Sequence, residues 1–184
     1  MQKIKNYING ELLEPVSKTY FDNINPATGE VYSLIPDSDE RDVQLAVDAA
    51  EKAFPHWSNM PVSKRSDILL KISSLIDKNL DKLTLAESID NGKPVHVAKA
   101  IDIPRARDNF HFYATGAIHL SDDAHATENI AINYTLRQPI GIAGCISPWN
   151  LPLYLFTWKN TSRDRKSTRL NSSHLTQSRM PSSA

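Results

Sequence analysis

A short apolar run, Ile140 to Ile146, leads directly into Ser147-Pro148-Trp149-Asn150 and then Leu151-Pro152-Leu153. The run carries Gly141 and Gly144 and follows the strand-breaking Pro139, a pattern that predicts a fully buried parallel strand. The next four residues read as a tight turn. Leu151-Pro152-Leu153 then opens a helix, because proline is tolerated in a first turn, where its missing N–H would have no partner. Strand, turn and helix together begin a βαβ unit, in which ligands sit at the carboxyl end of the strand. The Gly141-x-x-Gly144 pair is not the G-x-G-x-x-G fingerprint, and the glycines can equally serve close packing.

Upstream, Tyr7-Ile8 and Leu12-Leu13 flank Asn9-Gly10, a type I′ hairpin signal. Tyr20-Phe21 and Val31-Tyr32 flank Asn25-Pro26-Ala27-Thr28-Gly29, a second turn. Ser38, or Asp37 with Glu40 three residues on, caps a helix that reaches Phe54 and stops at Pro55. Val43, Ala46, Val47, Ala50 and Phe54 share one face of it. Ser63 caps a second helix with a buried stripe of Ile68, Leu69, Ile72, Leu75 and Ile76. Leu80 to Asn91 is helical and ends at Gly92, with Pro94 beyond. A third long helix runs from about Val95 toward Leu120, kinked near Pro104. Ile130, Ile132, Tyr134 and Leu136 alternate as in a half-buried strand.

Formal net charge is zero, but the zero hides a split. Residues 1–159 carry an acidic excess. In residues 160–184, Arg163, Arg165, Lys166, Arg169 and Arg179 stand against Asp164 alone. A mildly acidic body gives no basis for a nucleic-acid partner. No apolar stretch is long enough to cross a bilayer, no signal peptide is evident, and a single cysteine suits a reducing compartment, so a cytoplasmic location is expected. The histidines show no metal-ligand spacing, and no metal site is expected.

The run Pro139 to Leu153 resembles the first cofactor-domain strand and turn of the aldehyde dehydrogenase family. Asn25-Pro26-Ala27-Thr28-Gly29-Glu30 and Asp90-Asn91-Gly92-Lys93-Pro94 resemble further landmarks of that family, in the right order. Asp102-Ile103-Pro104-Arg105, followed by Asn109-Phe110 and Phe112, is similar to the branch that oxidises 2-hydroxy- and 2-aminomuconic semialdehydes. The resemblance implies an α/β fold: β-hairpins, helices and the start of a Rossmann-like parallel sheet. The expected parts are hairpins and helices over 1–120, an oligomerisation-arm-like segment over 121–138, and the strand-turn-helix over 139–159. It also implies a homo-oligomer, a small-molecule aldehyde as substrate, and NAD as cofactor, with NADP not excluded.

The implied chemistry has four parts. A cysteine attacks the aldehyde, an oxyanion hole stabilises the alkoxide, hydride passes to NAD(P), and a glutamate activates water to release the acid. Asn150 matches the oxyanion-hole asparagine, whose amide N–H donates to an oxygen that gains charge on attack; asparagine is also a good helix cap. Ile146, Ser147, Pro148 and Trp149 match the turn along the nicotinamide side of the cofactor, although Trp149 can also be read as a core aromatic. Arg105 matches an arginine that holds a substrate carboxylate through its guanidinium fork; the plain reading is a solvent-facing helix arginine. Cys145, inside the expected strand, reads as structural rather than as the nucleophile. The matching glutamate and cysteine do not occur, so the chain is expected to be a truncated family member, inactive by itself. The rival reading is a non-catalytic short isoform that binds cofactor or docks on full-length subunits.

Residues 160–184 depart from the family. Their composition predicts disorder, and Asp164 to His174 resembles a translated sequencing adapter, so the segment is expected to be non-native.

Overall fold

The computed structural model describes residues 1–128 and 130–165. Five strands come first: β1 (Gln2–Lys3), β2 (Asn6–Ile8), β3 (Glu11–Leu13), β4 (Tyr20–Ile24) and β5 (Val31–Pro36). The β2–β3 hairpin closes with Ile8 opposite Glu11, and Asn9 and Gly10 take φ of 54° and 84°, as a type I′ turn requires. β4 and β5 pair antiparallel through the second turn, where Asn25 Oδ1 accepts the Ala27 N–H at 2.9 Å. β1 adds parallel to β5, giving the order β1-β5-β4.

Helix α1 (Glu40–Ser58) begins one residue later than its sequence signals suggest. Asp39 is the cap, accepting from Arg41 N at 2.9 Å, while Asp42 accepts from Asp39 N at 3.1 Å. Ser38 is engaged elsewhere, since Asn6 Nδ2 donates to its hydroxyl at 2.8 Å. Asp42, rather than Val43, is buried on that face, because its other oxygen accepts from Val16 N at 3.0 Å. Pro55 does not stop the helix. It falls near the end, where Asn59 Nδ2 donates to its carbonyl at 2.8 Å.

Helix α2 (Val62–Lys78) starts after Pro61 without a side-chain cap, so Ser63 is not its cap. The buried stripe is Ser66, Leu69, Ser73 and Ile76, and Ile68 and Leu75 lie exposed. The two serines face the long helix α5 described below: Ser66 Oγ donates to Ala114 O at 2.9 Å and Ser73 Oγ to Arg107 O at 3.1 Å. Small hydroxyls opposite Ala106, Ala114 and Ala117 let the two backbones approach, which a Leu or Ile at those positions would prevent.

Helix α3 (Leu80–Asn91) ends at Gly92, left-handed at φ 74°. The short α4 (Val95–Val97) leads through a π-helical turn (Ala98–Asp102) into α5 (Ile103–Ile118). The kink expected at Pro104 takes this form: Ile103 N–H bonds Ala98 O, five residues back, just before the residue that has no N–H to give. Leu69, Ile76, Ile103, Phe110 and Ala114 form the core, with Leu153 packed against it.

Two expectations downstream are corrected. β6 (Ala124–Thr127) and β7 (Ala131–Tyr134) form an antiparallel hairpin, but Ile132 and Tyr134 are exposed rather than half-buried, because no described element covers either face. Ile140 to Ile146 forms no ladder, and Ile140 and Ile146 are 88% and 85% exposed. A strand exists through its neighbours' hydrogen bonds, and no described strand lies beside this one. Cys145 is accordingly only half-buried.

Helix α6 (Pro152–Arg165) starts at the proline and continues past residue 159 without a break. Thr161 is fully buried, with its hydroxyl on Thr157 O at 2.6 Å. The remainder of the segment expected to be disordered, residues 166–184, lies outside the described residues. No helix among the described residues is long and apolar enough to cross a membrane.

Candidate functional site

Four consecutive residues at the end of α3 each reach a different part of the chain. Asp90 Oδ1 accepts from Tyr32 Oη on β5 at 2.6 Å and from Asn23 Nδ2 on β4 at 3.3 Å. Asn91 Nδ2 donates to the carbonyl of Trp149 at 3.2 Å. Gly92 sits so close to Pro26 that an added Cβ would lie 2.8 Å from the proline Cγ. Lys93 pairs with Asp102 in the π-helical turn, a contact in which Asp102 is 1% exposed. Ser88 Oγ fastens the same corner by donating to Lys93 O at 2.5 Å.

The Ser147–Asn150 turn rests against this corner. The Asn150 carbonyl lies 3.5 Å from Asn91 Nδ2, and the Asn150 side chain is exposed with no hydrogen bond among the described residues. Its amide is therefore free to donate. Glu87, one helical turn before Asn91, accepts the Leu153 N–H at 3.4 Å in the first turn of α6. Glu87 is buried and its second oxygen has no partner among the described residues. Burial, and then the nearby charges of Asp102 and Asp90, push its carboxyl above the ordinary value, against the opposing pull of the Leu153 N–H and Lys93.

Of the expected cofactor residues, Ile146, Pro148 and Trp149 are exposed. The Ser147 hydroxyl is shielded and unpartnered among the described residues. Exposed apolar side chains and one unsatisfied hydroxyl in the same turn suit a flat ring with a polar sugar attached. The Ile146 carbonyl accepts from Lys159 Nζ of α6.

Arg105 is exposed on α5, but it is not simply solvated. Its guanidinium lies 5.3 Å from the ring centre of Tyr154 on α6, a cation–π distance. Tyr154 follows Asn150 by four residues, so Arg105 stands beside the helix that the Asn150 turn begins. Asn109, one turn along α5, donates to Tyr154 O at 3.2 Å and Thr157 Oγ1 at 3.0 Å, fixing α6 against α5. No direct contact joins Arg105 to Asn150.

Sequence reasoning missed Glu87 and the contacts made by Asn91, Asn109 and the Lys93–Asp102 pair. Asn91, Lys93, Asp102 and Asn109 stand inside motifs that carry the family resemblance, but those motifs do not reveal what the side chains touch. Glu87 gave a usable signal, being an acid within one turn of Leu83 on a helix that packs by that side. Among the described residues no group of His, Cys, Asp and Glu could hold a metal ion.

Comparison with known proteins identifies the relatives of this chain. The model of the Aldehyde dehydrogenase family matches residues 13–162. The chain is 46% identical over 157 residues to 2-aminomuconic semialdehyde dehydrogenase of Danio rerio, covering 85% of this chain and 32% of that protein. It is 36% identical over 159 residues to 5-carboxymethyl-2-hydroxymuconate semialdehyde dehydrogenase of Escherichia coli, covering 86% and 34%. The NAD+ complex of aldehyde dehydrogenase from Bacillus cereus superposes with a TM-score of 0.86 at 32% identity, covering 90% of this chain and 34% of that one. The chain thus spans about a third of the length of the curated relatives it matches.

Proposed function

This chain belongs to the aldehyde dehydrogenase family, and we propose that its residues supply the oxyanion and substrate-anchoring side of an NAD-dependent oxidation of a carboxylated semialdehyde to the acid. The observation that carries the proposal is the exposed, unpaired amide of Asn150 on a turn held by α3. In that role the Asn150 N–H donates to the aldehyde oxygen as it gains charge, and its fixed position lowers the reorganisation needed at that moment. Arg105, steadied over Tyr154, holds the distal carboxylate and so orients the aldehyde. Ile146, Pro148 and Trp149 exclude water from one side of the cofactor, and the Ser147 hydroxyl offers a hydrogen bond to it. NAD, when bound, supplies the hydride acceptor, and NADP is the competing cofactor.

The 184-residue chain by itself does not turn over aldehyde under this proposal. Its only cysteine, Cys145, is half-buried and lies before the turn, where the resemblance places a packing residue. An attacking thiolate and a water-activating carboxylate come from outside these residues. The test is an assay of the purified chain with NAD and a semialdehyde, beside a chimera joining residues 1–159 to the remainder of an active relative. Silence from the chain, together with a fall of roughly 10²–10³ in kcat for Asn150→Ala in the chimera, is the expected result. Turnover by the chain alone, lost in Cys145→Ser, overturns the assignment of Cys145.

A second reading is a non-catalytic subunit that docks on full-length copies. It is favoured by the β6–β7 hairpin, whose strands are exposed throughout. Co-purification with a full-length subunit, abolished by deleting 124–134, distinguishes it.

A further inference from the structure

We infer that Asn91 and Glu87 are positioning residues that clamp the Asn150 turn from the two sides of its exit, fixing where the Asn150 amide stands. The inference rests on the proposed role of Asn150, but the clamp itself is a matter of geometry.

The turn needs an outside support. Residues 135–148 form no ladder, so the chain arrives at Ser147 without the backbone bonds that would place a strand end. Pro148 removes one donor from the turn itself. Order must come from side chains elsewhere: Lys159 of α6 holds the Ile146 carbonyl before the turn, and two side chains on one face of α3 hold its exit. They are four residues apart, hence stacked on consecutive turns of the helix. Asn91 Nδ2 donates to Trp149 O at 3.2 Å, with Asn150 O at 3.5 Å as a weaker second acceptor. Glu87 Oε2 accepts Leu153 N–H at 3.4 Å. One side chain therefore engages carbonyls before the helix, and the other engages an amide in its first turn, where N–H groups lack helical partners.

With both carbonyl and amide held, the backbone between Trp149 and Leu153 has little freedom to rotate. The Asn150 side chain is left unbonded and exposed. α3 is a rigid base for this, because Asp90, Gly92 and Lys93 tie its end to β5, Pro26 and the π-helical turn. An oxyanion donor misplaced by an ångström loses much of its effect, which gives such a clamp its value.

The test is amide hydrogen exchange of the 184-residue chain, read at Leu153 and Leu155, whose N–H groups bond Glu87 and Leu151 O, with Leu69 as the core control. Asn91→Ala and Glu87→Ala each raise exchange at these amides by roughly tenfold or more while Leu69 is unchanged. Glu87→Gln, which keeps an oxygen acceptor, restores the wild-type rate at Leu153. Unchanged exchange at the turn in both alanine variants overturns the clamp. A rise shared equally by Leu69 also overturns it, because it marks a general structural role. Failure of the Asn150 role would show separately, as unimpaired kcat in Asn150→Ala of the active chimera, with the exchange result still standing.

Discussion

The Tyr32 hydroxyl donates to Asp90 Oδ1 at 2.6 Å across 58 positions of sequence, joining β5 to the last turn of α3. Burial, and then the hydrogen bond and negative charge of Asp90, push the Tyr32 phenol up to about 12. A phenol whose folded value is raised contributes stability that is fully present below its ordinary value near 10 and lost as pH rises from there through 12. Tyr32→Phe is expected to lower stability at neutral pH by about 1 kcal/mol. It should also flatten the alkaline loss in that window, measured by urea midpoints across pH.

Gly92 combines two constraints, a φ of +74° and an approach to Pro26 that leaves no room for a Cβ. Gly10 has φ +84° with nothing within 4 Å. Gly10→Ala should therefore cost about 1 kcal/mol, from backbone strain alone. Gly92→Ala should cost about 2–3 kcal/mol, from strain and overlap together. Adding Pro26→Ala to the Gly92 variant should recover part of that loss in denaturant titrations. A simple sum of the two single effects would remove the steric explanation.

Glu87 carries a carboxyl raised mainly by burial, so the folded state holds its proton more tightly than the unfolded chain does. Its stabilising contribution is present below the ordinary glutamate range and lost as pH rises through the raised value. Glu87→Gln removes the cost of charging it and is expected to be at least as stable as wild type at neutral pH. The gain should vanish in acid, and thermal melts at the two extremes check the sign.

Arg105→Ala, in an enzyme carrying these residues and a complete catalytic set, should raise KM for acidic semialdehydes by roughly tenfold or more and leave uncharged aldehydes little changed. An equal loss for both substrates would mean that Arg105 only steadies Tyr154.

Ile130, Ile132, Tyr134, Leu136 and Ile140 are each more than half exposed along one stretch. The 184-residue chain is expected to bind apolar dyes and to self-associate. Ile132→Lys should reduce both, read by dye fluorescence and sedimentation, without shifting the melting of the α2–α5 core.

Features that depend on neighbours along the chain are legible in the residues alone. Asn9-Gly10 dictates its hairpin and Gly92 the end of α3, because positive φ excludes most other residues. Pro152 dictates the start of α6, and the Pro139–Leu153 run is specific enough to indicate the family. Features that depend on distant partners emerge only once the chain has folded. Ser38 could not be recognised as unavailable for capping until Asn6 arrived beside it. The stripe expected on α2 named Ile68 and Leu75 and omitted Ser66 and Ser73, which are buried because α5 presents its alanines and carbonyls there. Ile140–Ile146 has the composition of a buried strand and yet makes no ladder, since hydrogen bonds between strands require a second strand. The junction at Asp90–Lys93 was visible as a motif, but its four separate attachments were not: each joins residues far apart in sequence, and only folding sets the distances over which they bond.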